Sequence, residues 1–250
     1  MAIRLKLYAG FIGLIGAAIN TSSMAERSVQ LGLVASANSS FYKGVDEEYF
    51  LLPLMIAEYD RFYLQGTHGG FRFFKDDNDQ SLALELSYTF DGYKSSDSDA
   101  LRGMDDRDPA WEAGLVYEVG LAGGQAQTKL MQDVSGRHKG FSAGLQYERP
   151  FWTDDGLVVS WYARSEYWNS KKTDYYFGVS REEATSSRSF YAADKSYRFY
   201  LGSNVSKRIN DNISLIASAE YLRMSVAAND SPLTDRQDQW SAYAGVFYQF

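Results

Sequence analysis

Apolar and polar residues alternate one for one along much of this chain, which is the pattern of strands with two unlike faces. In residues 81–90, Leu82, Leu84, Leu86, Tyr88 and Phe90 alternate with Ser81, Ala83, Glu85, Ser87 and Thr89. A helix would scatter both sets around its circumference. Comparable segments occupy 29–37, 111–119, 141–147, 157–163, 197–205 and 213–221, each close to the roughly 9 to 11 residues of a tilted membrane-spanning strand. In the last segment, 239–250, Trp240, Ala242, Ala244, Val246, Tyr248 and Phe250 share one face. Three stretches read less cleanly: 49–57 is almost continuously apolar around Pro53, and 122–132 is mostly polar, with Ala126, Thr128 and Leu130 assigned outward. Residues 61–75 carry Gly66, Gly69 and Gly70 and read as a hairpin of two short strands.

Counted this way the chain has twelve strands, with ten as the alternative. The connections alternate as in an outer-membrane barrel, long on one side and short on the other. Long loops are expected at 38–46, 91–108, 133–139, 168–196 and 225–238, with a glycine turn around His68 on the same side. Short turns are expected at 58–60, 76–80, 120–123, 150–155 and 210–212. Both termini then lie on the short-turn side, which excludes an odd count. The expected fold is all-β: one antiparallel transmembrane β-barrel domain, residues 26–250.

Residues 1–25 read as a cleaved signal peptide, with Arg4 and Lys6 before an apolar run from Leu7 to Ala18 that is too short to span a bilayer as a helix. Ser23, Met24 and Ala25 place cleavage before Glu26; the alternative lies near Ala17 or Ala18. No later window is a spanning helix. The chain has no cysteine, which removes disulfides and thiolate chemistry, so an exported chain must be held by hydrogen bonding and packing. Its 19 tyrosines suit the two aromatic girdles of a membrane barrel. The net charge of −7 becomes −9 without the leader, which argues against nucleic acid as a partner. The expected location is the outer membrane of a Gram-negative bacterium, among outer-membrane lipid and lipopolysaccharide.

Residues 97–115 read DSDALRGMDDRDPAWEAGL, with Arg102, Gly103, Met104 and Asp105 at their centre. This stretch resembles the MipA/OmpV family of outer-membrane proteins, the MltA-interacting protein family. Residues 41–54 (FYKGVDEEYFLLPL) match at Tyr42, Gly44, Pro53 and Leu54. Residues 175–184 (YYFGVSREEA), with Tyr176, Gly178 and Val179, resemble the family's late signatures, as do Ser231, Pro232 and Leu233 in DSPL. DVSGRHKG at 133–140 adds another match. The resemblance spans nearly the whole mature chain. It implies a non-enzymatic barrel acting as a scaffold between a murein lytic transglycosylase and a peptidoglycan synthase. A narrow porin-like diffusion channel is the alternative, and an adhesin a third. The outward face of the last strand, Trp240, Val246, Tyr248 and Phe250, resembles the signal read by the barrel assembly machinery.

No catalytic, cofactor or metal site is expected. A hydrolase would need a serine activated by an oriented histidine, and neither His68 nor His138 has a nucleophile signature near it; both are expected to be surface or structural. Glu85, Glu112, Glu118, Glu148, Glu166 and Glu220, with Lys129, Arg164 and Arg198, are predicted to face the lumen. Paired carboxylates can hydrolyse glycosides, but a hydrated, cross-paired interior explains them as well. Asp97, Asp99, Asp105, Asp106 and Asp108, and Asp76, Asp77 and Asp79, lack the spacing of a calcium loop and read as solvated loops. The glycines at 66, 69 and 70 lack the lysine and helix start of a phosphate loop.

Overall fold

The computed structural model describes residues 27–76 and 79–250; the predicted signal peptide with its cleavage site, and Asp77, lie outside them. Each alternating segment forms a strand. They are β1 (Arg27–Asn38), β2 (Glu48–Tyr59), β3 (Phe62–Gln65), β4 (His68–Lys75), β5 (Ser81–Thr89), β6 (Ala110–Leu121), β7 (Gly124–Asp133), β8 (Phe141–Asp154), β9 (Leu157–Trp168), β10 (Ser196–Arg208), β11 (Ile213–Met224) and β12 (Asp238–Gln249). Each pairs antiparallel with the next, and β12 pairs with β1 from Gln30 opposite Gln249 to Asn38 opposite Ser241, closing the barrel. Closure satisfies the backbone groups that lipid cannot. A 12-residue strand at a tilt near 45° rises roughly 28 Å, close to the height of an outer-membrane apolar band.

Leu31, Leu33, Leu84, Leu86, Leu115, Leu201 and Val246 point outward and are exposed. Aromatic side chains ring both edges of this belt: Tyr49, Trp111, Phe141, Tyr197 and Trp240 on the loop side, and Tyr59, Phe62, Trp152, Tyr248 and Phe250 on the termini side. The uncertain β7 register holds, with Thr128 and Leu130 outward and Met131 buried. The interior has two sides. Val34, Leu54, Ile216 and Phe247 form an apolar cluster on β1, β2, β11 and β12, with the Phe247 ring seated over Gly32. The opposite side, β5 to β8, carries buried Glu85, Glu112 and Glu148.

Several strands run further than their alternation suggested. β8 continues through Pro150 by a register shift between Pro150 and Trp152, so the predicted 150–155 turn contracts to Asp155 and Gly156. Both have positive φ, 41° and 73°, as a two-residue hairpin turn requires. Ala122 and Gly123 (50° and 75°) shorten the 120–123 turn in the same way. The predicted split of 61–75 is confirmed, but the turn is Gly66 and Thr67, and His68 is the first residue of β4, buried and facing inward. The loop predicted at 168–196 contains a helix, α1 (Ser170–Phe177).

Candidate functional site

The long loops do not stand away from the barrel. They fold inward over its mouth and build a second apolar core from Phe41, Tyr42, Tyr93, Leu101, Met104, Tyr176, Phe177 and Leu233, resting on Trp168, Tyr200, Leu222 and Met224 of the wall. Leu101 and Tyr176 are fully enclosed. The α1 helix starts where the Asn169 side chain accepts from the Lys172 amide at 3.1 Å, a standard N-cap bond. It ends at Gly178, where an added Cβ would lie 2.4 Å from the Asp174 carbonyl. Its buried face carries Thr173, Tyr176 and Phe177, with Lys172 reaching into the lumen.

The family-motif positions converge on this cap, with Pro53 and Leu54 of β2 as the exceptions. The Tyr42 hydroxyl donates to the Tyr176 carbonyl (3.3 Å), and its ring packs on Tyr93 and Phe177 at 4.7 and 5.8 Å. Ser231 donates to the Phe177 carbonyl at 2.6 Å, and Lys43 donates to the Pro232 carbonyl at 2.9 Å. Gly44 (φ +70°) and Gly103 (φ +84°) take backbone conformations that disfavour other residues. Met104, Val179 and Leu233 lie in the apolar core. The Asp105 amide donates to Glu183 at 2.9 Å. Arg102 points outward and, among the described residues, pairs with exposed Asp99, while its carbonyl accepts from Arg188. Pro53 stands apart in the wall, on β2. The predicted assembly face, Trp240, Val246, Tyr248 and Phe250, is exposed along β12.

Charged latches that the sequence reading missed fasten the cap. Lys172 Nζ lies 2.6 Å from Glu112 Oε1 on β6, and His138 Nε2 lies 3.0 Å from the same oxygen. Because the Gly140 amide donates to His138 Nδ1 (3.1 Å), the neutral ring carries its proton on Nε2, toward Glu112. Two loops therefore close on one wall carboxylate. Arg198 of β10 binds Asp91 at 2.9 Å and stacks 3.4 Å from the centre of the Trp168 ring. Within the cap, Arg107 grips Glu183 at 2.7 and 3.0 Å. Burial alone would raise the Glu183 carboxyl, but the Ser180 and Asp105 amides and the Arg107 guanidinium together hold it below the usual glutamate range. The hydroxyls of Tyr42 and Tyr93 are pushed up, chiefly by burial. The available signal was the apolar content of the loops themselves: solvated loops do not need Leu101, Tyr176, Phe177 and Leu233.

Below the cap lie two chambers that share His68, Glu85, Gln127 and Lys129 in their walls. The upper, about 140 Å³, is lined by His68, Glu85, Glu112, Lys129, Lys172 and Arg198 among others. The lower, about 780 Å³, extends to the termini-side rim, where Glu58, Lys75, Asp79 and Ala122 border it. Its walls carry Ile56, Ile216 and Phe247 on one side and Glu85, Glu118, Lys129 and Glu148 on the other. The predicted lumenal charges face inward and are cross-linked. Glu85 binds Lys129 (2.9 Å) and Tyr63 (2.8 Å), Glu220 binds Arg164 (3.1 Å) and Tyr162 (2.7 Å), and Glu148 is held by Ser160 and Asn204. His68 contacts Gln65 at 3.3 Å. Among the described residues neither histidine is hydrogen-bonded to a serine hydroxyl, and no three His, Asp or Glu side chains are placed to hold a metal ion. The acidic loop is partly structured: Lys94 Nζ binds Asp108 (2.6 Å) and Asp106 (3.3 Å).

The family model described as MltA-interacting protein MipA matches residues 31–250. The chain belongs to this family. The MltA-interacting protein of Escherichia coli (strain K12) is 29% identical over 250 residues, covering 99% of each chain. Outer membrane protein Omp26La of Vibrio anguillarum is 29% identical over 182 residues, covering 72% of this chain and 70% of its own. Among solved structures, a NanC porin aligns over 87% of this chain and 98% of its own, with a TM-score of 0.48 and 9% identity. With relatives named as outer membrane proteins and a closed twelve-stranded barrel, this MipA family member resides in the outer membrane of a Gram-negative bacterium, long loops outward and termini toward the periplasm.

Proposed function

We propose that this MipA family member is a non-enzymatic scaffold that presents its periplasmic rim to enzymes of peptidoglycan synthesis and hydrolysis. The observation that carries this reading is the asymmetry of the barrel: a packed cap fills the outer mouth, while the larger chamber opens toward the periplasm. A diffusion channel needs a continuous aqueous path, and the cap core stands across it. The name of the Escherichia coli relative, MltA-interacting protein, supports a murein lytic transglycosylase as one partner. A peptidoglycan synthase is the second. The exposed closing face, Trp240, Val246, Tyr248 and Phe250, serves the barrel assembly machinery during insertion.

Affinity capture from detergent-solubilised membranes, read by mass spectrometry, should retain a lytic transglycosylase. Planar-bilayer recording of the same preparation should show no stable steps. If capture yields no periplasmic enzyme and bilayers show stepwise current, the channel reading replaces the scaffold. Lipase or esterase activity that disappears in His68→Ala or His138→Ala would overturn the non-enzymatic part.

A further inference from the structure

The barrel wall is not of equal height all round. β3 has four residues and β4 eight, whereas β1 and β2 have twelve each. β2 pairs with β3 only from Ile56 to Tyr59, and the hairpin turns at Gly66 and Thr67. Above that turn β2 and β5 face each other with no strand between them. The missing wall forms a notch roughly 10 Å deep in the loop-side half of the membrane and about two strands wide.

Backbone direction shows what the notch exposes. The Gly66 amide donates to the Met55 carbonyl, and amides alternate sides along a strand, so residues 49, 51 and 53 point their backbone groups into the gap. Among the described residues nothing pairs with the Tyr49 and Leu51 amides or with the carbonyls of Tyr49, Leu51 and Pro53. Pro53, a family-motif residue outside the cap, has its N–H-less nitrogen on this open side, where proline fits a sheet. The edge carries the lipid-belt side chain Leu51, with Leu86 of β5 just below the level of the turn on the far side, and Leu51 and Pro53 lie on the membrane side of the aromatic Tyr49. Unpaired strand edges do not persist in hydrocarbon. Behind the gap the inward face of β2 is apolar, with Phe50, Leu52 and Leu54. Thr67, Ser87 and Thr89 on the floor and far lip line the upper chamber.

We propose that this notch seats an outer-leaflet lipid, one acyl chain lying across the β2 edge against Phe50 and Leu52, with polar atoms of its headgroup linkage meeting the unpaired backbone groups. The lipid is the occupant because the notch continues the lipid-facing belt. The proposal does not depend on the scaffold reading.

The chain has no cysteine, so single-cysteine reporters are direct. Bimane would be attached to Leu52→Cys behind the notch, Ile216→Cys inside the full wall and Leu201→Cys on the lipid face. Each full-length barrel is placed in phosphatidylcholine vesicles with and without brominated acyl chains. Quenching at position 52 should be comparable to that at 201 and several-fold above that at 216. Lengthening the β3–β4 hairpin by two residues per strand should bring position 52 down to the level of 216. Quenching at 52 no greater than at 216, whether water or a protein strand fills the gap, overturns the proposal. If Leu52→Cys does not fold, Thr89→Cys on the opposite lip, which also lines the upper chamber, takes the same reading and the same two outcomes.

Discussion

At the loop end of the barrel the lumen is filled by a folded cap with its own apolar core, whereas at the termini end tight turns leave about 780 Å³ of lined space open to the rim. The same twelve strands carry both ends, so the difference comes from what joins them. Asp155–Gly156 and Ala122–Gly123 reverse the chain with nothing left over to cover the opening. On the other side, the loops after β5 and β9 bring enough buried apolar surface to pack as a small domain, and they reach down to wall charges for anchorage. A barrel built this way presents a fixed outer surface and an accessible inner one.

The largest test of this contrast is Glu112, where two loops meet the wall. Glu112→Ala leaves Lys172 buried without its partner, a loss of about 3–5 kcal/mol by the usual cost of breaking an enclosed ion pair. The expected result is a lower urea midpoint and rapid protease cleavage within residues 169–195. Replacing both Glu112 and Lys172 by methionine should restore most of the stability, because no buried charge is then stranded. Next is Leu101→Ala in the cap core, expected to cost about 2–5 kcal/mol. Its effect should appear as faster hydrogen exchange in the loops while the strand amides remain protected.

A smaller effect should appear with pH. The Glu183 carboxyl titrates below its unfolded value near about 4.3, so its contribution to the cap is complete above that value. It is lost as pH falls through the lower, folded value. Exchange in residues 91–108 should rise below pH ~4, and Glu183→Gln should remove that acid-dependent step. Arg102→Ala should change nothing measurable in cap exchange, since the Arg102–Asp99 pair is exposed on both sides. An effect as large as that of Leu101→Ala would mean that the outer cap surface, and not its core, holds the loops.

Much of the wall was legible from alternation, because each strand has one face in lipid and one in a hydrated lumen. Strand ends were less so: Pro150 read as a stop, yet the bulge beside it lets β8 continue to Asp154. The cap was the hidden part. Its motif residues, Tyr42, Met104, Tyr176 and Leu233, were visible as a resemblance, but their convergence depends on loops separated by as many as 190 or so residues, for which no local pattern exists. The Glu112–Lys172–His138 latch was hidden for the same reason. Glu112 had the correct inward assignment, while its partners lay in segments read only as long outer loops.

The central claim is that the lumen is closed outward and open toward the periplasm, and the side from which a reagent enters tests it most directly. Gln127 lines both chambers and the chain has no other thiol, so Gln127→Cys is a single reporter inside the barrel. A membrane-impermeant maleimide would be applied to intact cells, and then to cells whose periplasm has been opened. Labelling only after the periplasm is opened is the predicted result. Equal labelling from outside in intact cells would contradict it.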